Sequence, residues 1–225
     1  MAQVHKPIDP SLPTEVKMTR FLPLALLLLV APAWSAAALD LTPAQTEGPY
    51  YPRRKPADTD WDLTRVGNGP RAKGEALALV ARVVDPQGKP IAGARVEIWQ
   101  TDAAGIYMHP DDPRTAKRDQ TFQFYGEARS DADGNVRFLT IRPVPYEGRP
   151  SHIHAKITPP RGATLTTQFY FADDPQLARD GIVRRLGKVL ELVTLRPQRK
   201  TGADGASLQE AAITIVVKAG RPAGR

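Results

Sequence analysis

The 225-residue chain has no cysteine. Disulfides, thiolate metal sites and lipid attachment at a cysteine are therefore all excluded, and the missing disulfides lean towards a bacterial periplasm or medium rather than an animal secretory route. Histidine is scarce, with four residues, and aromatic residues make up 7%. There is no internal repeat, no low-complexity tract and no apolar run of the ~20 residues a membrane span needs. What remains is 41% hydrophobic, enough for a sizeable core and against global disorder. The formal charge is +7, but the basic residues are scattered among acids without an aromatic-basic stripe. A nucleic-acid partner is not expected; a solvated basic surface is.

The longest apolar stretch, Phe21 to Ala33, follows Lys17 and Arg20 and leads into small residues through Ala38. A basic region, a short apolar region and an A-x-A-like zone are the parts of a secretory signal peptide. The expectation is an exported, periplasmic or secreted protein without a stable membrane anchor. Residues 1–38 would be signal and upstream sequence, Met18 an alternative start, and cleavage would fall near Ala37 or Ala38.

The rest reads as many short strands. Prolines (22) and glycines (17) are dense and dispersed, as tight turns require. An irregular arm over 39–72 precedes a domain over 73–218, with a frayed tail over 219–225. Strands are expected at Ala76–Asp85, Ala94–Gln100, Phe122–Arg129, Asn135–Ile141, Ile153–Thr158, Leu165–Phe171, Val189–Leu195 and Ala211–Val217. Asp174–Arg185 suits a short helix and 197–209 an exposed hairpin loop. The fold class is all-β, a two-sheet sandwich with long irregular loops.

Three histidines follow the expected signal, and two form His152-Ile153-His154. Residues i and i+2 of a strand share a face, so both imidazoles can grip one metal while Ile153 packs oppositely. Alone, such a pair reads equally well as two polar residues on a wet strand. Tyr146 stands just before them across a proline-rich turn, and Tyr107 follows a strong strand. Two imidazoles and two phenolates make a hard, anionic donor set that suits Fe(III) better than Zn(II) or Cu(I). Tyr125 and Tyr170, inside strands, read as packing residues, and His109 as a neighbour of Tyr107 rather than a ligand.

At this point the chain resembles the intradiol ring-cleaving dioxygenases. The resemblance rests on Thr46-Glu47-Gly48-Pro49-Tyr50-Tyr51, Gly93-Ala94-Arg95-Val96-Glu97-Ile98-Trp99-Gln100, Gly105-Ile106-Tyr107, Asp133-Gly134, Arg142-Pro143-Val144-Pro145-Tyr146 and Arg149-Pro150-Ser151-His152-Ile153-His154. It implies a prealbumin-like sandwich and one mononuclear non-haem Fe(III). Tyr146 and His154 would be its axial ligands, Tyr107 and His152 its equatorial ones. The implied reaction inserts both atoms of O2 between the two hydroxylated carbons of a catechol, giving a cis,cis-muconate. In that reading Tyr146 also accepts a substrate proton. Arg149 stabilises charge on the ring and binds substrate, Gln168 adds a hydrogen bond, and Tyr50 and Tyr51 line the mouth. Only five residues separate Tyr146 from His152, fewer than in the well-known members, and the helical N-terminal dimerisation segment of catechol-type members has no counterpart. The identity of the catechol is therefore not transferred, and a homo-oligomer stays open. Two rival readings are a non-catalytic exported binding module, since Gly88–Val96 encodes only a turn and a strand, and a periplasmic protein that handles copper or another metal.

Overall fold

The structure, a computed structural model, describes residues 37–201, 205, 207–218 and 220. Most of the expected signal segment and most of the expected tail lie outside these residues. Among the described residues no helix is long and apolar enough to cross a membrane.

Among the described residues nine strands form two sheets. They are β1 (Ala76–Val84), β2 (Arg95–Trp99), β3 (Tyr125–Arg129), β4 (Asn135–Ile141), β5 (His152–Thr158), β6 (Leu165–Phe171), β7 (Thr194–Leu195), β8 (Gln198–Thr201) and β9 (Ser207–Val216). One sheet has the order β4-β1-β9-β8, the other β3-β2-β5-β6-β7. Most pairings are antiparallel, while β1 with β9 and β6 with β7 are parallel. Alternate residues of both sheets enter one apolar core. Leu77, Leu79, Val136, Phe138 and Ile215 come from the first sheet, and Val96, Ile98, Ile153, Ile157 and Phe169 from the second. Two sheets sharing one core is the arrangement of a β-sandwich.

The expected strands recur with local differences. Phe122–Phe124 is not strand: Phe124 has φ +64°, a left-handed conformation that breaks the extended run, so β3 begins at Tyr125. Val189–Leu195 is largely 3-10 helical, over Gly187–Val193, with strand only at Thr194–Leu195. Only Val193 of that helical run is buried, and a short apolar run does not by itself distinguish helix from strand. The expected helix is shorter and split into a 3-10 turn at Leu177–Arg179 and α1 at Gly181–Leu186. The segment expected as a loop is partly a hairpin, since Gln198–Thr201 pairs with Ser207–Glu210.

The outer face of the five-stranded sheet departs most from the expected half-buried pattern. Arg95 and Glu97 alternate with core residues as solvent-facing positions would, yet Glu97 is fully buried. The irregular arm folds over this face. Gln45 donates its backbone N–H to Thr166, its side-chain amide donates to the Gln168 carbonyl, and Tyr51 donates to Glu97 (2.8 Å). Lys55 also reaches Glu97 (2.9 Å). The face is thus enclosed between sheet and arm, and the candidate site lies there.

Candidate metal centre

Strand register gathers the imidazoles and their neighbours. On β5, Ile153, Ala155 and Ile157 point into the core, which turns His152 and His154 to the outer face. There His154 lies opposite Trp99 on one side and Gln168 on the other, and His152 lies opposite Tyr170. Their Nε2 atoms approach to 3.2 Å. The His152 Nδ1–H donates to the Pro150 carbonyl (2.7 Å), which fixes the tautomer and leaves a lone pair on Nε2. The His154 Nδ1 is buried without a partner. Its ring is held instead by stacking on Trp99, 4.8 Å and 12° between planes, and by Gly48, where a Cβ would come within 3.3 Å of its Cε1.

Each tyrosine arrives on a turn. Asp102 accepts from the backbone of Ala104 (2.8 Å) and Ile106 (3.1 Å), a side-chain turn that ends at Tyr107. Asp112 then accepts the Tyr107 N–H (2.9 Å). Tyr146 and Arg149 exchange backbone hydrogen bonds across Glu147 and Gly148, both with positive φ (+47° and +77°), the geometry of a tight hairpin turn. Gly105 (φ +71°) lets the turns meet: a Cβ there would stand 3.3 Å from the Pro145 carbonyl oxygen and from Tyr146 Cβ. The two phenol rings then sit 5.2 Å apart, with Tyr146 at 5.5 Å from His152 and Tyr107 at 6.2 Å from His154. Tyr107, His152 and His154 are each 2% exposed and Tyr146 is 9%.

Without a cation this cluster is neutral. Burial, then the Arg149 charge, pushes His152 down to about 4, and burial with the His152 ring holds His154 well below the usual imidazole range. Burial, then the Tyr146 phenol, holds the Tyr107 hydroxyl well above the ordinary phenol value. Burial also raises Tyr146, against the opposing pull of the Tyr107 hydroxyl and Arg149. The buried Tyr107 hydroxyl forms no hydrogen bond of good geometry, although the Tyr146 hydroxyl is near enough to act on it. Two imidazole Nε2 atoms facing each other, the Tyr107 hydroxyl and a second phenol beside it fit a hard cation. Among the described residues no three His, Cys, Asp or Glu come together, so a metal here depends on the phenols as much as on the imidazoles.

The other expected residues divide. Arg149 stands beside the cluster, its Nε donating to Asp180 and its Nη2 to Gln168 Oε1 (3.1 Å) and more distantly to Tyr170 (3.5 Å). Gln168 is engaged at both ends, since its Nε2 donates to the Thr46 carbonyl (2.8 Å). Tyr50 stacks on Tyr107 at 4.6 Å. Tyr51 is turned away, packed edge-on against Trp99 (4.9 Å) with its hydroxyl on Glu97. His109 contacts Tyr50, and its Nδ1 accepts from the Asp111 N–H. Tyr170 is more than packing, because its hydroxyl lies within hydrogen-bonding distance of the Gln45 (2.8 Å) and Gln168 (3.0 Å) side-chain oxygens and has one proton to give between them. Sequence reading passed over Glu97, Trp99, Asp174 and Asp180. Trp99 alone carried a local signal, being one residue beyond the Glu97-Ile98 alternation and paired with His154 once β2 and β5 are set side by side.

Residues 46–218 match the family described as dioxygenase. The protocatechuate 3,4-dioxygenase beta chain of Burkholderia cepacia is 40% identical over 144 residues, covering 60% of this chain and 61% of the relative. Catechol 1,2-dioxygenase 1 of Acinetobacter lwoffii is 31% identical over 157 residues, covering 62% and 49%. The solved dioxygenase domain of a dioxygenase–carbohydrate-binding fusion from Streptomyces sp. SirexAA-E superimposes with TM-score 0.63 at 28% identity, covering 80% of this chain and 99% of that one. The chain thus spans about half to three-fifths of the length of these two curated relatives. With that match over most of its length, and with the tyrosine–histidine cluster at its centre, the chain belongs to the intradiol ring-cleaving dioxygenase family.

Proposed function

We propose that the protein is an exported non-haem Fe(III) dioxygenase that opens a catechol-type ring between its two hydroxylated carbons. The observation that carries this reading is the convergence of Tyr107, Tyr146, His152 and His154 in one buried, uncharged cluster with opposed Nε2 atoms 3.2 Å apart. These four residues would hold the iron. Bound Fe(III) would supply Lewis acidity that favours loss of the catechol protons and makes the ring reactive towards O2.

The chain's own groups do the rest. Tyr146 sits on a two-residue turn and is the most exposed of the four, so its Oη is the one best placed to take a proton from the incoming diol. Arg149 brings a fixed cation beside the phenols, where it lowers the energy of negative charge on the ring. Gln168, occupied at both ends, serves to hold that guanidinium and to fasten the arm. Tyr50, half-buried over Tyr107, forms a wall of the entrance and helps keep water out. The short connection from Tyr146 to His152 leaves the mouth open, which favours substituted catechols.

The test is metal analysis with a visible spectrum of the purified protein. Expected are close to one iron per chain and a reddish tyrosinate charge-transfer band; iron-replete but colourless protein contradicts tyrosinate ligation.

A further inference from the structure

Arg149 and Asp180 lie 31 residues apart in sequence, yet they form the tightest polar contact beside the metal site. The Asp180 side chain is only 3% exposed, and its two oxygens do different work. Oδ1 accepts from the backbone of Ile182 and Val183 (2.8 Å each) and caps α1. Oδ2 accepts from Arg149 Nε. Gln168 and Tyr170 engage Nη2, so Nε is held by the carboxylate and Nη2 by neutral oxygens.

We propose that Asp180 is a positioning residue that aims the Arg149 guanidinium across the metal site. This rests on the role given to Arg149 above. A guanidinium is planar, and fixing Nε sets the direction of the whole fork. Oxygens of Gln168 and Tyr170 alone leave the fork free to turn about the Nη2 contact. The carboxylate also compensates the charge of Arg149 in a largely dry setting, so its loss leaves a partly buried cation unpaired. Because the same carboxylate caps α1, helix and cation are set by one group. The neighbouring Asp174 supports the same segment, accepting the Ser151 N–H (2.7 Å) just before His152. The stretch after β6 therefore braces the Arg149–His152 run at two points. A carboxylate that served only as a helix cap would not need its second oxygen on Arg149.

The two duties separate experimentally. Asp180→Asn and Asp180→Ser both keep a capping oxygen and drop the charge, and asparagine presents an N–H2 to the Arg149 Nε–H. The iron-loaded full chain is compared with these variants, with Arg149→Ala and with the double variant Asp180→Asn/Arg149→Ala. Readouts are kcat with catechol, catechol affinity by anaerobic visible titration, and the thermal midpoint. A misaimed charge acts on turnover more than on chelation, so kcat falls about tenfold or more in both single cap-competent variants. The anaerobic affinity stays near wild type, the thermal midpoint falls because the Arg149 charge loses its partner, and Asp180→Asn adds no further loss of kcat in the Arg149→Ala background. Unchanged kcat in Asp180→Asn, or the same fractional loss with and without Arg149, overturns the proposal. A wild type inactive on every catechol contradicts the proposed function itself. An active wild type with an equally active Asp180→Asn variant contradicts only the positioning role.

Discussion

At the scale of single residues, the distance between two turns decides whether the phenols can share one cation. Gly105 is the point of contact, and its positive φ and the 3.3 Å approach to Pro145 admit no side chain without strain. Gly105→Ala is expected to destabilise the fold by about 1–3 kcal/mol, measured by chemical denaturation, and to shift the visible band by spreading Tyr107 from Tyr146. Removing a donor acts more directly. His152→Ala and His154→Ala each delete one of four donors, so iron content by elemental analysis should fall at least tenfold while the far-ultraviolet spectrum of the sandwich persists. Full iron occupancy in both variants would contradict the grip assigned to this strand face. Tyr107→Phe and Tyr146→Phe should each shift or weaken the visible band, and Tyr146→Phe should also slow turnover, since it removes the proposed proton acceptor.

At the scale of elements, the outer face of β2, β3 and β5 holds a charge network beside the site. Glu97 accepts from Tyr125 (2.6 Å), Tyr51 (2.8 Å) and Lys55 (2.9 Å). Burial alone would raise its carboxyl, yet these donors outweigh burial and hold it below the usual value. A carboxyl whose folded pKa is depressed contributes stability above its unfolded pKa of about 4.3, and loses it as pH falls through the folded value. Wild type should therefore lose stability more steeply than Glu97→Gln as pH falls below the ordinary carboxyl range of about 4.3, as read from thermal midpoints at successive acid pH values. The same face shows what was legible in sequence. Period-two alternation located most strands and put His152 and His154 on one side of β5, because a single strand encodes its own faces. It could not show that Glu97 is buried, because burial there comes from an arm some forty residues earlier. Val189–Leu195 departs from its strand expectation for a related reason: its apolar residues suit strand or helix until the neighbouring core selects one. Asp180 was invisible beforehand, since nothing near it in sequence points to Arg149.

At the scale of the whole molecule, the sandwich is a scaffold with an outer face covered by the arm, and the proposed chemistry is placed there. Export is proposed from the Lys17–Ala38 pattern. Protein recovered from the periplasm should begin near Ala38 by N-terminal sequencing, whereas an intact Met1 or Met18 on cytoplasmic protein would contradict it. Tolerance of ring substituents follows from the short connection between Tyr146 and His152, and is tested by comparing rates for catechol, protocatechuate and bulkier substituted catechols. The central claim is that Fe(III) held by two phenolates and two imidazoles directs cleavage between the hydroxylated carbons. Mass spectrometry of the product, with oxygen uptake recorded in parallel, tests it most directly. The account predicts one O2 consumed per ring and a cis,cis-muconate-type diacid carrying both oxygen atoms. A yellow semialdehyde, the mark of cleavage beside the diol, would contradict it.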